Sequence, residues 1–482
     1  MYLMDFPIPA RWFLLITGLI FISIFILFYP PFYIGIDEHE YIKNAFLLRN
    51  GSLKTDDPLL YCGGIQTPTG ESISSYPIGK SILLIPFTFL PFAGIFIFGL
   101  ITHLLNLLLL GGILRQQAID IRWAALYLFI PIFQWSSRTL YPELSVLTLF
   151  LAAYFFWGWK RPTAPFISGL LLGISLFVRY DAIIGIAGFG LHSLFADRKR
   201  FLPLILGFIP PFLLLFGFNH FTYGDIFSTG YGAIGEQFQL MIPSDFWINL
   251  FTYGVLLALV IPFSYWGAIR HPHKILFLTM AAGYIVFFSY FTPFWHFSFS
   301  WPLTFTARLR YFIPVLGMLL IPTLTWYHGI LGRYFFRISG THRKWVATIL
   351  LFVIIGGSMA LHSSHQQLSE PRAEVSEIIL NNIPVQSHVI GSADDCIYFL
   401  PEYFGKYFYH QAKIDSSFIN PDTGYYILDI AYLTQIKNDS TRQDVINRER
   451  GVIKAFISEN RDRLIQVYSS SENARVTIWR VA

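Results

Sequence analysis

Residues 13–41, "FLLITGLIFISIFILFYPPFYIGIDEHEY", join an apolar run directly to a cluster of charged side chains. The first part is long enough to cross a bilayer, which takes about 20 residues. It is too long for the apolar core of a signal peptide and no small-residue cleavage site follows it, so we expect a retained membrane anchor. Three carboxylates, those of Asp37, Glu38 and Glu40, and the ring of His39 therefore lie next to a membrane face.

The composition of the 482 residues is that of a membrane protein, with 54% hydrophobic, 18% aromatic and only 13% charged residues. A soluble chain carries about 25% charged residues. Apolar runs recur through the first three quarters, which predicts a polytopic α-helical membrane protein; a membrane β-barrel would show short alternating strands. The net charge of +5 does not indicate nucleic-acid binding, because the basic residues cluster at the ends of the apolar segments.

Hydropathy predicts about eleven transmembrane helices within residues 1–361. The predicted spans are 12–32, 94–114, 120–136, 142–159, 164–179, 181–196, 201–219, 246–268, 275–292, 309–330 and 345–361. Residues 78–93, "IGKSILLIPFTFLPFA", amount to about half a span between prolines, so we expect an interfacial or re-entrant helix there.

The basic residues predict the orientation. With the N-terminus inside, the loop 220–245 faces out and has no Lys or Arg, and the loop 33–93 with Asp37 faces out too. The inside loops then hold Arg11, Arg115, Arg122, Lys160, Arg161, Arg198, Lys199, Arg200, Arg270, Lys274, Arg333, Arg337, Arg343 and Lys344. This pattern predicts a multi-pass protein of the inner or plasma membrane with a cytoplasmic N-terminus.

Residues 362–482 change character and are predicted to form a small α/β domain outside the membrane. The stretches "PRAEVSEIILNNIP" and "RQDVINRERGVIKAFISENRDR" are typical of helices. The stretches "SHVIGS", "KYFYHQ", "YYILDIAYL", "LIQVYSS" and "ARVTIWRV" are typical of strands. No Gly-rich phosphate loop and no His/Cys cluster with metal-ligand spacing occurs in this sequence segment.

The polar residues of the outward-facing segments gather near one membrane face. Ionisable groups at the ends of apolar segments cost free energy unless they are paired or hydrated, so such a cluster is a candidate functional site. It comprises Asp37, Glu38, His39, Glu40, Tyr76, Lys80, Arg138, Tyr141, Glu143, Arg179, Asp181, His220, Asp225, His296, Arg308, Arg310 and Tyr311.

Each of these residues also has a purely structural interpretation. Asp37 could cap the helix that follows it. The arginines could be anchors at the headgroup level, with Glu143 a partner for Arg138, and Tyr76 could belong to a simple turn. The functional interpretation depends on several arginines and one acidic cluster sharing a face. Guanidinium groups suit a lipid phosphate and a nearby carboxylate suits a general base, which together match transfer of a group from a lipid-phosphate carrier.

The order of these features resembles the GT-C class of membrane glycosyltransferases, which use polyprenyl-phosphate-linked sugars. Protein O-mannosyltransferases and lipid A aminoarabinose transferases belong to this class. The motifs that carry the resemblance are, in chain order, "DEHEY", "YPIGKSILLIPF", "LYPEL", "FVRYD", "NHFTYGDIFSTGY" and "RLRYFIP". The resemblance implies that Asp37 is the catalytic base and that Glu38 orients it or shares a metal with it.

The resemblance also implies a set of substrate-binding residues around Asp37. Candidate phosphate ligands are Arg138, Arg179, Arg308 or Arg310, and Lys80. The other candidates for substrate binding are Tyr41, Tyr76, Tyr141, Glu143, Asp181 and Tyr311. No cofactor is certain, and a divalent metal at Asp37, Glu38 and His39 is an open option.

The sequence therefore predicts an inverting glycosyltransferase that acts on the outer face of the membrane, with a glycan, lipid or protein as acceptor. A transporter or flippase of lipid-linked sugars, a polymerase or ligase, and a scaffold without catalysis are the alternatives. A disulfide between Cys62 and Cys396, which would hold the C-terminal domain over the loop at Asp37, is a further option; two unrelated thiols are the alternative.

Overall fold

The protein is described by a computed structural model that is helical over most of its length. It describes residues 9–54, 64–66, 71–233, 244–291, 309–334, 340–391, 398–400, 408–411, 425–432, 440–470 and 474–481. The two cysteines, Arg308 and His296 lie outside these residues, so the disulfide option and two of the candidate site positions stay predictions.

The helices follow one another along the chain with short connections. They are α1 Ala10–Leu27, α2 Ile36–Arg49, α3 Gly79–Leu84, α4 Ile97–Gln116, α5 Ala125–Phe129, α6 Pro131–Ser137, α7 Glu143–Trp157, α8 Ala164–Val178, α9 Ile183–Ala196, α10 Arg198–Tyr223, α11 Phe246–Val260, α12 Ser264–Arg270, α13 Lys274–Phe291, α14 Ile313–Tyr334, α15 Gly340–Asn382 and α16 Ser440–Glu459.

Helical structure is present in every segment that hydropathy assigned to the membrane. Among the described residues, four helices are long and apolar enough to span a bilayer, and α11 with α12 forms a fifth candidate span that is bent by 86°. The predicted span 120–136 is built from a 3₁₀ turn, α5 and α6, because Pro131 begins a new helix there. The count of eleven spans stays a prediction.

Residues 78–93 form a short, interrupted helix; an interfacial or re-entrant position for it stays a prediction. The helix α3 continues as a 3₁₀ helix over Ile85–Phe89, and a second 3₁₀ helix over Phe92–Phe96 leads into α4. Prolines at 86 and 91 remove backbone donors and interrupt the regular helix. The interrupted helix packs against α2 and so places Lys80 near the charged residues.

The helical bundle buries a large apolar core and exposes apolar side chains on its outside. Phe150, Leu316 and Leu320 are buried in the core. Leu213 and Leu214 on α10 are 60% and 68% exposed. An apolar surface of this kind suits contact with lipid tails.

Glycines let α8 and α10 approach closely. A Cβ on Gly169 would overlap the carbonyl oxygen of Leu204, and a Cβ on Gly207 would overlap that of Phe166. Small residues at a helix–helix contact allow the backbones to pack directly, as is common between membrane helices.

The helix α15 runs without a break from the last predicted span into the amphipathic segment. It covers Gly340–Asn382, contains Pro371 and ends before Ile383 and Pro384. The predicted boundary between residues 361 and 362 therefore lies inside one continuous helix. The division of the chain into two domains stays a prediction.

The C-terminal segment adds a five-stranded mixed sheet. Its strands are β5 His388–Gly391, β6 Phe408–Gln411, β7 Tyr425–Tyr432, β8 Leu464–Ser470 and β9 Ala474–Val481. Earlier in the chain, β1 Gly64–Gln66 pairs with β2 Ser72–Ser74, and β3 Ser228–Thr229 pairs with β4 Gly232–Ala233, as two short hairpins. All five predicted strands of this segment and its charged helix are confirmed. The strand order is β6-β5-β7-β9-β8, with β5 parallel to β6 and β7, and β9 antiparallel to its neighbours.

One apolar cluster joins this sheet to the helix that carries Asp37. It contains Tyr41 and Ile42 of α2, Ile379 of α15, and Val389 and Leu428 of the sheet. The sheet and the end of α15 therefore fix the position of α2 by packing.

We expect Gly207→Leu to destabilise the bundle, because the added side chain would force α8 and α10 apart. Overpacking of this kind costs about 1–3 kcal/mol, which would lower the midpoint of thermal unfolding followed by tryptophan fluorescence in detergent. Gly217→Leu is the matched control, since a Cβ at Gly217 on the same helix meets nothing within 4 Å. Equal unfolding midpoints for both variants would contradict this packing argument.

Candidate active site

The carboxylate of Glu38 fixes the start of α2. Its Oε2 accepts hydrogen bonds from the backbone N–H groups of Ile34 at 2.9 Å and Gly35 at 3.1 Å. Its Oε1 accepts a third from the backbone N–H of Leu140 at 2.8 Å. Glu38 therefore caps α2 and ties it to the segment between α6 and α7. This geometry favours a positioning role for Glu38, one of the two roles that the resemblance implies.

Glu38 is fully buried, and its burial has an electrostatic consequence. Burial raises the pKa of Glu38 to about 7, while the hydrogen bonds from Leu140 and Ile34 and the charges of Arg310 and Arg372 act in the opposite direction. Arg372 lies on α15, so this helix contributes a positive charge to the region that was not foreseen from the sequence.

Gly35 allows Tyr141 to lie against the start of α2. A Cβ on Gly35 would overlap the hydroxyl oxygen of Tyr141. The guanidinium of Arg310 lies over the Tyr141 ring, 3.7 Å from its centroid, which is a cation–π arrangement. Gly35 leaves room for Tyr141, and the Tyr141 ring supports the guanidinium of Arg310, which contacts Asp37.

Asp37 occupies the first turn of α2 and is held by two donors. Its Oδ1 accepts a hydrogen bond from the hydroxyl of Tyr76 at 2.7 Å, and its Oδ2 accepts one from Nη2 of Arg310 at 2.7 Å. Burial and the charge of Asp37 raise the pKa of Tyr76, so the phenol stays a donor. Each carboxylate oxygen has two acceptor sites, so both keep capacity for a further donor.

Asp37 differs from the neighbouring carboxylates in its exposure. Its side chain is 28% exposed, whereas those of Glu143 and Asp181 are 1% and 6% exposed. Glu38 and Glu40 are fully buried. Of these five carboxylates, Asp37 is therefore the one that a substrate can reach most easily.

A network of alternating charges continues from Arg310 into the bundle. Oε1 of Glu143 lies 2.5 Å from Nη1 of Arg179 and 3.8 Å from Nε of Arg310. Nε of Arg179 lies 2.6 Å from Oδ1 of Asp181. In the order Asp37, Arg310, Glu143, Arg179, Asp181, each charge lies next to one of opposite sign, which buried ions require.

Tyrosine rings form a wall beside Asp37. The ring of Tyr76 lies 5.3 Å from that of Tyr41 and 6.0 Å from that of Tyr231. Tyr180 lies 6.2 Å from Tyr231, and the guanidinium of Arg179 lies 5.1 Å from the ring centroid of Tyr311. Aromatic faces and hydroxyl groups together suit a sugar ring, because they offer apolar contact and hydrogen bonds in one surface.

Lys80 lies deeper than Asp37 and is 1% exposed. Its Nζ donates to the hydroxyl of Ser145 at 3.3 Å and lies 3.9 Å from the centroid of the Phe98 ring. Burial lowers the pKa of Lys80 to about 7, while the charges of Glu143 and Glu38 act in the opposite direction. Lys80 thus belongs to the same charged region as Asp37.

Arg138 does not join this network. Its Nη1 lies 2.8 Å from Nδ1 of His362 on α15, and its guanidinium packs 5.5 Å from the centroid of the Phe25 ring. Arg138 is fully buried, and its Nε and Nη2 have no hydrogen-bond partner among the described residues. Glu143 pairs with Arg179 and Arg310 rather than with Arg138, so the sequence-based pairing of Arg138 with Glu143 is wrong.

The proposed metal ligands do not converge. Glu38 binds backbone N–H groups, and Nδ1 of His39 lies 3.6 Å from Glu40, which in turn pairs with Lys43 at 3.0 Å. Successive side chains of a helix do not face one another; the metal option at Asp37, Glu38 and His39 stays a prediction. Across the described part of the chain, no group of three or more His, Cys, Asp or Glu side chains is arranged to hold a metal.

The loop after α10 contributes one residue that sequence reasoning did not single out. His220 and Asp225 are exposed, and Asp225 accepts a hydrogen bond from the backbone N–H of Phe227 within its own turn. Tyr231, from the end of the same "NHFTYGDIFSTGY" stretch, is the residue that reaches the tyrosine wall. The available signal was its place in a quoted motif. Tyr180 had the same signal, since it lies in "FVRYD", whereas Arg372 had none.

Comparison with known proteins agrees with the fold. No protein-family model matches the chain, and no curated protein matches it in sequence. In three dimensions the chain is similar to ArnT from Cupriavidus metallidurans, whose crystal structure was determined bound to undecaprenyl phosphate; the TM-score is 0.57, the identity is 12%, and 98% of each chain is covered. ArnT is a lipid A aminoarabinose transferase of the GT-C class. The chain therefore has a fold like that of the GT-C membrane glycosyltransferases.

Proposed function

We propose that this protein is an integral membrane glycosyltransferase that moves a sugar from a polyprenyl-phosphate-linked donor to a glycan, lipid or protein acceptor. The observation that carries the proposal is the placement of Asp37, a partly exposed carboxylate between Tyr76 and Arg310 at the edge of a buried ion network. The GT-C-like fold, shared with a protein crystallised with undecaprenyl phosphate, supports this donor class.

In the proposed reaction Asp37 is the general base. It takes the proton of the acceptor hydroxyl or amine as that group attacks the anomeric carbon of the donor. The bond from the anomeric carbon to the phosphate oxygen breaks, and the polyprenyl phosphate leaves with the electron pair. One displacement inverts the anomeric configuration, and a second carboxylic acid is not needed because phosphate is already a good leaving group.

Arg310, Arg179 and Lys80 form the proposed phosphate-binding group. The two guanidinium groups share Glu143 and lie on the rings of Tyr141 and Tyr311, which fixes their planes. Preorganised cationic donors in a poorly hydrated site stabilise charge that develops on a leaving group. Arg138 is left out of this group because its contacts lie with Phe25 and His362.

The proposal includes the topology expected from the sequence. Eleven spans with the N-terminus in the cytoplasm would put Asp37 and the C-terminal sheet on the outer face, with residues 1–361 as the catalytic part and residues 362–482 as an outer domain. The sugar would be a hexose or a pentose. The sheet, packed in one apolar cluster with α2, would help to exclude water from the reacting groups.

A transporter of lipid-linked sugars is the less favoured alternative. Transporters place their binding site near the middle of the membrane between repeated halves. The described charged network instead begins at the start of α2, directly after a predicted span, and uses the ends of α8 and α14.

Replacing Asp37 by Asn tests the proposed base. The amide keeps the size of the side chain but cannot accept the proton, so turnover should fall by a factor of about 10²–10⁴, while donor binding changes little. Transfer from a polyprenyl-phosphate sugar by the purified protein in detergent is the measurement. Asp225→Asn, an exposed carboxylate of the loop after α10, is the control and should keep wild-type turnover. The base assignment is falsified if Asp37→Asn retains more than about a third of the activity, far outside the expected loss.

Arg→Lys replacements test the proposed phosphate group. Lysine keeps the charge but cannot reproduce two directed donors or the flat stacking on tyrosine, so Arg179→Lys and Arg310→Lys should each lower kcat/KM at least about tenfold. Arg138→Lys should have the smaller effect. Loss of activity in the Arg138 variant alone, with Arg179 and Arg310 variants like the wild type, would transfer the phosphate role to Arg138.

A further inference from the structure

A lateral groove lies between α1 and α4, at the end of α1 that is distant from Asp37. It has a volume of about 500 Å³, and its walls are formed mainly by leucine and isoleucine side chains and by the backbone at three glycines. Arg11 and Arg115 line it as well. No residue of the proposed active site contributes to its lining. The catalytic proposal therefore does not account for it.

The two arginines lie at the same end of the groove, because α1 and α4 run in opposite directions along it. Arg11 begins α1 and Arg115 ends α4, while Ile22 and Leu104 line the other end. Both arginines are exposed. Neither Arg11 nor Arg115 takes part in an ion pair among the described residues. The neighbouring Arg122, by contrast, is paired with Asp120 at 2.6 Å.

The length of the groove matches one leaflet of a bilayer. Arg11 and Ile22 are eleven residues apart on α1, and a helix rises about 1.5 Å per residue, so the lined stretch is about 17 Å long. Half of the hydrocarbon core of a bilayer is about 15 Å thick. An acyl chain of one leaflet can therefore lie along the groove with its headgroup next to the arginines.

We propose that this groove binds an anionic phospholipid from the leaflet opposite Asp37. The acyl chain would contact the leucine and glycine walls, and the phosphate would accept hydrogen bonds from Arg11 and Arg115. Guanidinium groups suit phosphate, and basic pockets between membrane helices on the cytoplasmic side recognise anionic headgroups. The donor lipid is not the occupant, because its phosphate must reach the other end of α1.

A second copy of the chain is the competing occupant, and the charges argue against it. An isologous contact through this groove would bring the arginines of both copies together, and no acidic side chain belongs to the groove lining among the described residues. Like charges at a membrane interface oppose association, whereas a lipid phosphate neutralises them.

Lipid retention in native mass spectrometry tests the proposal. The purified protein is titrated with phosphatidylglycerol or with phosphatidylcholine of the same acyl chains. We expect the wild type to prefer phosphatidylglycerol, and the double variant Arg11→Gln/Arg115→Gln to lose about tenfold to thirtyfold of this preference, since both cations that line the groove and would contact the lipid phosphate are then removed. The double variant Arg161→Gln/Arg270→Gln, which removes two exposed arginines outside the groove, should bind like the wild type.

A second variant tests the groove itself without touching its charges. A Cβ on Gly18 meets nothing within 4 Å, so Gly18→Leu can fill the groove while leaving the helix packing intact. It should reduce retention of phosphatidylglycerol, whereas Gly217→Leu, equally open on α10, should not. An unchanged lipid preference in the arginine variant, unchanged retention in Gly18→Leu, or a lipid-free dimer that Gly18→Leu dissociates would each overturn the proposal.

Discussion

The constraint on which this structure depends is the cost of burying charge beside a membrane. Glu143 is almost completely buried, and a carboxylate in that position is tolerable only if cations reach it. Arg179 and Arg310 do so from different helix ends, and they in turn need Asp181 and Asp37. Each of these charges finds its partner only when four chain segments come together: the start of α2, the start of α7, the end of α8 and the segment before α14. The charged site and the folded bundle therefore form together.

The local features of this fold could be predicted from the sequence because they arise from local physics. Long apolar runs predict helices whose side chains can face lipid. Alternation of apolar and polar residues predicted β7 at Tyr425–Tyr432 and β9 at Ala474–Val481. The acidic turn at Asp37 was visible as charge directly after a span. The continuity of α15 could not be predicted. Pro371 and the change of composition both favour a break in the helix, yet α15 continues through them.

The pairing of charges could not be predicted because it depends on contacts between distant segments. Arg138 and Glu143 are close in sequence, which favoured a pair, yet Arg138 meets His362 and Glu143 meets Arg179 and Arg310. The ion pair of Asp37 with Arg310 joins residues 273 positions apart. Such pairs follow from how the helices pack, and a single sequence carries no record of that packing.

The geometry of Asp37 connects donor binding to base catalysis in the proposed reaction. Oδ2 of Asp37 is engaged by Arg310, while Oδ1 is engaged by Tyr76. A donor phosphate that binds Arg310 competes directly for the guanidinium that holds Oδ2, since both are anions seeking the same fork of donors. Release of Oδ2 would add a free acceptor site to those that the carboxylate already has. One arginine would thus serve both the leaving group and the base.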